Sequence, residues 1–270
     1  MNVLVIGADG MLGYAVTKYL EFMQCHVLPL TRRDFDIAKD DITALGGFMN
    51  SADIVINCAG IINKRVPDTN IEEILKVNTV FPINLAKMCN FYEKPCIHIT
   101  TDCVYSGKRG MYTESDYYDA QDIYGLSKAG GDLADCMVLR TSIVGEEKNN
   151  ARSLLSWLKS KKGQSVKGYT NHYWNGLTTL YLAEVIYDIF IKNLYRKGIF
   201  HIFSSKVISK YELLTSLNNI YDLGIDIVPV ETEIGINRSL STEKDLCRNI
   251  VRKELDQQIM EMRDFFMEVD

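Results

Sequence analysis

Val3-Leu-Val-Ile6 runs directly into Gly7-Ala-Asp-Gly10-Met-Leu-Gly13, and this join decides the fold. The short apolar run reads as a buried strand, and after the glycines Leu12, Val16, Tyr19, Leu20 and Met23 fall on one face of a helix. Strand, glycine turn and helix form the context of a dinucleotide fingerprint. The glycines allow a tight turn, a close approach of backbone to pyrophosphate and close packing of helix on strand. The free N–H groups and positive dipole of the helix start attract the phosphates. The spacing is Gly-x-x-Gly-x-x-Gly rather than Gly-x-Gly-x-x-Gly, and a purely structural glycine turn is the alternative. The expected cofactor contacts here are Gly7, Gly10, Met11, Leu12 and Gly13.

Further along, His26 to Leu30 reads as a second strand ending in Thr31-Arg32-Arg33. An acid at this point receives the ribose 2′-hydroxyl of NAD, whereas an arginine accommodates the 2′-phosphate of NADP. Arg32 and Arg33 therefore predict NADPH, with NADH still admitted and surface arginines as the plainer alternative. Asp36-Ile37 reads as a brief extended element in the same cofactor wall, and Ile42 to Met49 as a short helix. Asp53 to Asn57 is a buried strand that runs into Cys58-Ala59-Gly60. Small side chains there let a flat cofactor lie against the backbone, unless they form a plain turn. A helix is predicted from Ile71 to about Tyr92, kinked at Pro82. Cys96 to Thr101 is the next strand and Met137 to Ser142 counts as the sixth. Strands alternating with helices predict an α/β fold, a doubly wound parallel sheet with helices on both faces. Thr101 then lies at a C-terminal strand end, the edge where such sheets bind ligands.

Asp122 caps a predicted helix carrying Tyr124-Gly-Leu-Ser-Lys128. A Tyr and a Lys four apart share one face. An ammonium there favours the phenolate and lowers a tyrosine pKa of ~10 by roughly 1–3, which suits a general acid near neutral pH. Taken alone, such a pair is more often solvated surface. Gly130-Gly131 in the same helix costs about 1 kcal/mol per glycine relative to alanine, which points to close approach of another element or to a local irregularity. The remainder is more mixed. Helical patterns cover Ser153–Lys161, Leu180–Leu194, Leu213–Tyr221 and Leu255–Phe266, and extended ones Ile199–Phe203 and Ile225–Val230. Gly168 to Gly176 gathers Asn171, Trp174 and Asn175, which either stack a base and bond a sugar or form a packed turn.

Composition narrows the partners. The 270 residues are 47% hydrophobic and 24% charged with a net charge of -5, ordinary for a globular chain. The basic run Lys159-Ser-Lys-Lys162 reads as a solvated helix end, so neither nucleic acid nor a membrane surface is expected as a partner. Seven cysteines without a C-x-x-C pair and four scattered histidines give no metal-ligand spacing. With no leader pattern and no long apolar run, the expectation is a soluble, cytoplasmic, metal-free protein.

Together these motifs resemble the extended short-chain dehydrogenases/reductases, and within them the dTDP-4-dehydrorhamnose reductase family of nucleotide-sugar reductases. The likeness rests on Gly7/Gly10/Gly13, Thr101-Asp-Cys-Val-Tyr105, Tyr124-x-x-x-Lys128 and Leu139-Arg-Thr-Ser142. Gly198-Ile-Phe-His-Ile-Phe-Ser-Ser and Ser209-Lys-Tyr-Glu-Leu-Leu214 extend it through the second half. The resemblance implies a Rossmann-type domain over 1–145 plus about 177–195, and a smaller mixed substrate-binding subdomain over 146–176 and 196–270.

It also implies roles. Tyr124 would protonate the developing alkoxide, Thr101 would polarise the substrate carbonyl, and Lys128 would hold the nicotinamide ribose and depress the Tyr124 pKa. Asp102 and Cys103 would face the sugar. Similar 4,6-dehydratases carry Thr-Asp-Glu where this chain has Thr101-Asp102-Cys103, and a neutral thiol cannot replace that glutamate as a base. Reduction of a 4-keto-6-deoxy sugar on a nucleotide is therefore expected. Two alternatives stand beside it: a non-catalytic NADP- or nucleotide-sugar-binding subunit, and an epimerase retaining NAD. Ile143 and Leu177-Thr178 depart from the family pattern, and Trp174 is a candidate replacement for a sugar-stacking aromatic. A homodimer is admitted.

Overall fold

The computed structural model describes residues 1–148 and 153–269. Six parallel strands form the main sheet: β1 (Asn2–Ile6), β2 (His26–Leu30), β3 (Ile54–Asn57), β4 (Cys96–Thr101), β5 (Met137–Thr141) and β6 (Gly198–His201). Their spatial order is β6-β5-β4-β3-β1-β2. The chain leaves β1 for β2 on one side and later returns to β3 on the other, with Ile6 beside both Leu30 and Asn57. That reversal opens a crevice at the carboxyl ends of β1 and β3.

Alternation along β1 explains why the sheet is covered on both faces. Val3 and Val5 pack with Leu12, Val16 and Leu20 of the Met11–Phe22 helix and with Leu182, Ile186 and Ile189 of the Thr179–Ile191 helix. Leu4 and Ile6 face the other way, onto Ile74, Leu85 and Cys89. A third cluster joins Tyr14 and Ala15 of the first helix to Leu155, Trp174, Leu213, Ile259 and Phe266. It seats the smaller region, where Ser165–Tyr169 pairs with Asp226–Val230, and His172–Trp174 lies between Ile208–Ser209 and Ile236–Asn237.

One of the six strands the sequence predicts does not form, and another takes a place in the sheet. Asp36-Ile37 is a turn: the Asp36 carboxylate accepts from Ala38 N–H, and Asp40 accepts from Asp36 N–H, so local bonds replace a ladder. Gly198–His201 pairs with Met137–Arg140 instead, which puts it in the main sheet and not in the smaller region expected from 196 onward. Within the 146–176 stretch, residues 149–152 lie outside the described residues.

The kink at Pro82 takes a particular form. The helix from Ile71 widens into a π turn at Lys76–Val80 before resuming at Phe81–Phe91. Pro82 has no N–H for the Asn78 carbonyl four residues back. That carbonyl packs against Gly131, where a Cβ would lie 2.3 Å from it, and Thr79 fills the space beside Gly130. Close approach, not irregularity, explains the glycine pair of the Ile123–Gly131 helix.

Beyond β4 the 105–121 loop is held by a buried cation. Arg140 is fully buried, paired with Asp132 at 2.6 Å. It donates to the Tyr105 hydroxyl at 2.7 Å and to His201 Nε2 at 2.8 Å. An accepting Nε2 requires neutral imidazole, and burial, then the Arg140 charge, lowers the His201 pKa to about 4. Among the described residues no helix is long and apolar enough to cross a membrane.

The glycine contact is testable. Gly131→Ala gains helix propensity yet is expected to lose about 1–3 kcal/mol through overpacking, measured by urea unfolding. Gly47→Ala, with nothing within 4 Å of the added carbon, is expected to hold or raise stability. Equal effects of the two would contradict the packing.

Candidate active site

The glycine turn is shaped for backbone approach. Gly7 sits at φ +79°, and a Cβ there would lie 2.8 Å from Ala59, at the end of β3. At Gly13 a Cβ would come within 2.0 Å of the Gly7 carbonyl, so the helix can lie this close only without one. Gly10 caps the Met11–Phe22 helix in extended conformation and no side chain caps it, leaving first-turn N–H groups open to a phosphate. Leu12 points into the core, so it offers only its backbone. These residues fit a dinucleotide: the cradle exists because side chains are missing from it.

Eight of the residues expected to contact the cofactor, Gly7, Gly10, Arg32, Asp36, Ile37, Cys58, Ala59 and Gly60, line one cleft of ≈190 Å³. Met11 lines an adjoining cleft that shares Gly10, Gly60 and Arg65. Arg33 is exposed and lies outside the wall. The Thr31–Asp34 turn, in which Asp34 accepts from both the N–H and hydroxyl of Thr31, directs it away. Arg65 and Glu73 also line the cleft. Both lie on the 61–75 stretch, whose sequence carries no strand or glycine signal that marks them.

Thr101, Tyr124 and Lys128 come together at the carboxyl end of β4. Thr101 Oγ1 donates to Asp102 and accepts from Cys103 N–H, both at 3.1 Å, and its hydroxyl is near enough to the Tyr124 phenol to hold that pKa down. Lys128 Nζ donates to the Ile99 carbonyl at 2.9 Å and stands 3.6 Å from where a Gly60 Cβ would be. Gly60, which lines the cofactor cleft, thus lies directly against the ammonium. Asn78 supports the arrangement, bonding Ile61 on one side and the Ser127 hydroxyl on the other.

The electrostatics depart from expectation. Burial raises the Tyr124 pKa, Cys103, Asp102 and Asp122 add to the rise, and the bond to Thr101 pulls it back. Lys128 is not among the leading influences on it. The same burial lowers Lys128 to about 8, against the pull of Asp132 and Cys58. Burial also raises Asp102, although Arg238 and Lys210 oppose the rise. Cys103 is pushed up to about 12, again chiefly by burial, and stays a neutral thiol.

The aromatic and amide cluster is a packed turn. Trp174 is 4% exposed, its Nε1 donating to Ser142 Oγ at 2.8 Å, so no face is free to stack a sugar. Asn175 exchanges bonds with the Leu240 backbone, and Asn171 bonds Thr232. What faces a neighbouring cleft of ≈590 Å³ is instead Trp157, Tyr169, His172, Lys64 and Lys210. Lys210 lies over the Trp174 ring at 5.3 Å. The signal for Lys210 is the capping box of Ser209 and Glu212, which starts a helix at Lys210 rather than at Leu213. No group of three or more His, Cys, Asp or Glu able to hold a metal ion occurs among the described residues.

The fold and the cradle define a Rossmann-type dinucleotide-binding protein with a Tyr-x-x-x-Lys helix at its strand ends. A family model for the RmlD substrate binding domain matches residues 1–234, and the chain belongs to that family. It is similar to the spore coat polysaccharide biosynthesis protein SpsK of Bacillus subtilis, 27% identical over 240 residues, 86% of this chain and 83% of that one. A dTDP-4-dehydrorhamnose reductase of Mycolicibacterium smegmatis is 33% identical over 151 residues, 53% of this chain and 46% of that one. The fold matches the dTDP-4-dehydrorhamnose reductase of Bacillus anthracis, solved with NADP, at a TM-score of 0.82 and 20% identity over 100% and 99% of the two chains.

Lys128 provides a direct check on the electrostatics. With lysines reductively ¹³C-methylated, one resonance absent from the Lys128→Arg protein is expected to titrate near 8. Because the unfolded chain holds this proton up to ~10.4, the group makes stability rise with pH above about 8. Titration at the ordinary lysine value would contradict the burial.

Proposed function

We propose that this protein is an NADPH-dependent reductase of the 4-keto group of a nucleotide-linked 4-keto-6-deoxy sugar, NADH being the secondary donor. It acts in the cytoplasm, in deoxysugar synthesis for a surface polysaccharide. The observation that carries this is the meeting of Thr101, Tyr124 and Lys128 beside Gly60, at the edge of a cleft built around the glycine turn.

The bound nicotinamide supplies a hydride. Tyr124 keeps its proton at neutral pH, since burial raises its pKa, and gives it to the carbonyl oxygen as that oxygen gains charge. Thr101 Oγ1 donates a hydrogen bond to the same oxygen, exchanging Asp102 for the substrate. Lys128 keeps one N–H on Ile99 and has two for the ribose hydroxyls. Cys103, neutral beside Tyr124, offers no base for eliminating water. The nucleotide end of the substrate fits the cleft of Tyr169, His172 and Lys210, next to Asp102. This divides the chain into a cofactor part, 1–145 with about 177–195 and β6, and a substrate part made of the rest.

NADPH oxidation with a panel of nucleotide 4-keto-6-deoxy sugars tests the proposal, with Tyr124→Phe alongside. Turnover with at least one substrate is expected, falling by about 10²–10⁴ in the variant. No turnover across the panel, or an unimpaired variant, would contradict it.

A further inference from the structure

The adenosine end of the cofactor cleft holds a charge arrangement that the reductase reading does not use. Arg32 follows β2 and sits between two carboxylates, Nε 3.4 Å from Asp36 and Nη2 3.1 Å from Glu73. All three wall the same cleft as Gly7 and Gly60. Asp36 is shared with Lys39 at 3.2 Å, whereas Arg32 is the one ion-pair partner of Glu73 among the described residues. The Glu73 side chain is 23% exposed against 47% for Arg32, so the acid is the less screened member of the pair.

We infer that Glu73 competes with the 2′-phosphate of NADPH for Arg32, and so limits the preference for NADPH over NADH. The inference rests on the dinucleotide reading of the cleft. A guanidinium has five N–H donors, and here its Nε and Nη2 sides are turned to carboxylates. A phosphate reaching Arg32 through its remaining Nη1 and Nη2 donors comes close to Glu73 or displaces it, and like charges in contact are unfavourable. A ribose 2′-hydroxyl is neutral and can donate to the same carboxylate. Glu73 thus opposes one cofactor and accepts the other. An acid in the first turn of the Ile71–Leu75 helix is by itself unremarkable, since the dipole favours it and Glu72 stands there too. Glu73 differs in reaching 41 residues back along the chain to Arg32.

Calorimetric binding of 2′,5′-ADP and 5′-AMP, then of NADP⁺ and NAD⁺, tests this without a sugar substrate. In Glu73→Gln the affinity ratio of phosphorylated to unphosphorylated ligand is expected to rise about 3- to 10-fold at low salt, and less at high salt. Arg32→Ala is expected to lower the ratio, and Glu72→Gln to leave it unmoved. An unmoved or lower ratio in Glu73→Gln, or an equal rise in Glu72→Gln, would overturn the inference while leaving the cofactor reading intact. Wild-type protein that binds none of the four ligands would overturn both.

Discussion

Lys128 stands against Gly60, in the wall of the cofactor cleft, on a helix that meets another with no side chain between them. Pro82 leaves the Asn78 carbonyl without its helical donor, the chain widens into a π turn, and that carbonyl settles against Gly131. The Asn78 side chain then ties the segment after β3 to the helix of Tyr124 and Lys128. A larger residue at 60 would meet the Lys128 ammonium. Gly60, Gly131 and Pro82 thus set how closely the Lys128 helix, the Asn78 segment and the cleft wall approach one another.

Burial governs the chemistry at this contact. It holds Tyr124 protonated and disfavours the charge on Lys128, so the two stand as a phenol and a weakened ammonium. An exposed Tyr-x-x-x-Lys pair would show the opposite Tyr shift, with the ammonium lowering its neighbour. Desolvation is the largest influence on Tyr124 here, and Lys128 donates to the Ile99 carbonyl. The two carboxylates around Arg32 apply the same rule at the far end of the cleft, where a ligand's charge must contend with charges already in place.

Periodicity and glycine spacing made the sheet and the cradle legible. The β1 run, the Gly7/Gly10/Gly13 turn and Thr101 at a strand end all fall where the sequence puts them. Asp36-Ile37 misled because two apolar-flanked residues cannot reveal that aspartates will satisfy their backbone locally. Arg33 misled because adjacent residues diverge at a turn, and only Arg32 enters the wall. Trp174 looked available for stacking, but exposure depends on tertiary packing, and here Ser142 and the third core cluster take it. Arg65 and Glu73 escaped notice because a cleft wall assembled from distant segments leaves no local pattern. Lys210 was within reach, through its capping box.

The most direct test of the account is the fate of the hydride. Incubation of the protein with NADPH carrying deuterium at both C4 positions of the nicotinamide and a nucleotide 4-keto-6-deoxy sugar, read by NMR, is expected to place one deuterium on C4 of the sugar product. Cofactor oxidation without label at C4, or a product epimerised or dehydrated with the label retained on the cofactor, would contradict carbonyl reduction at Thr101 and Tyr124.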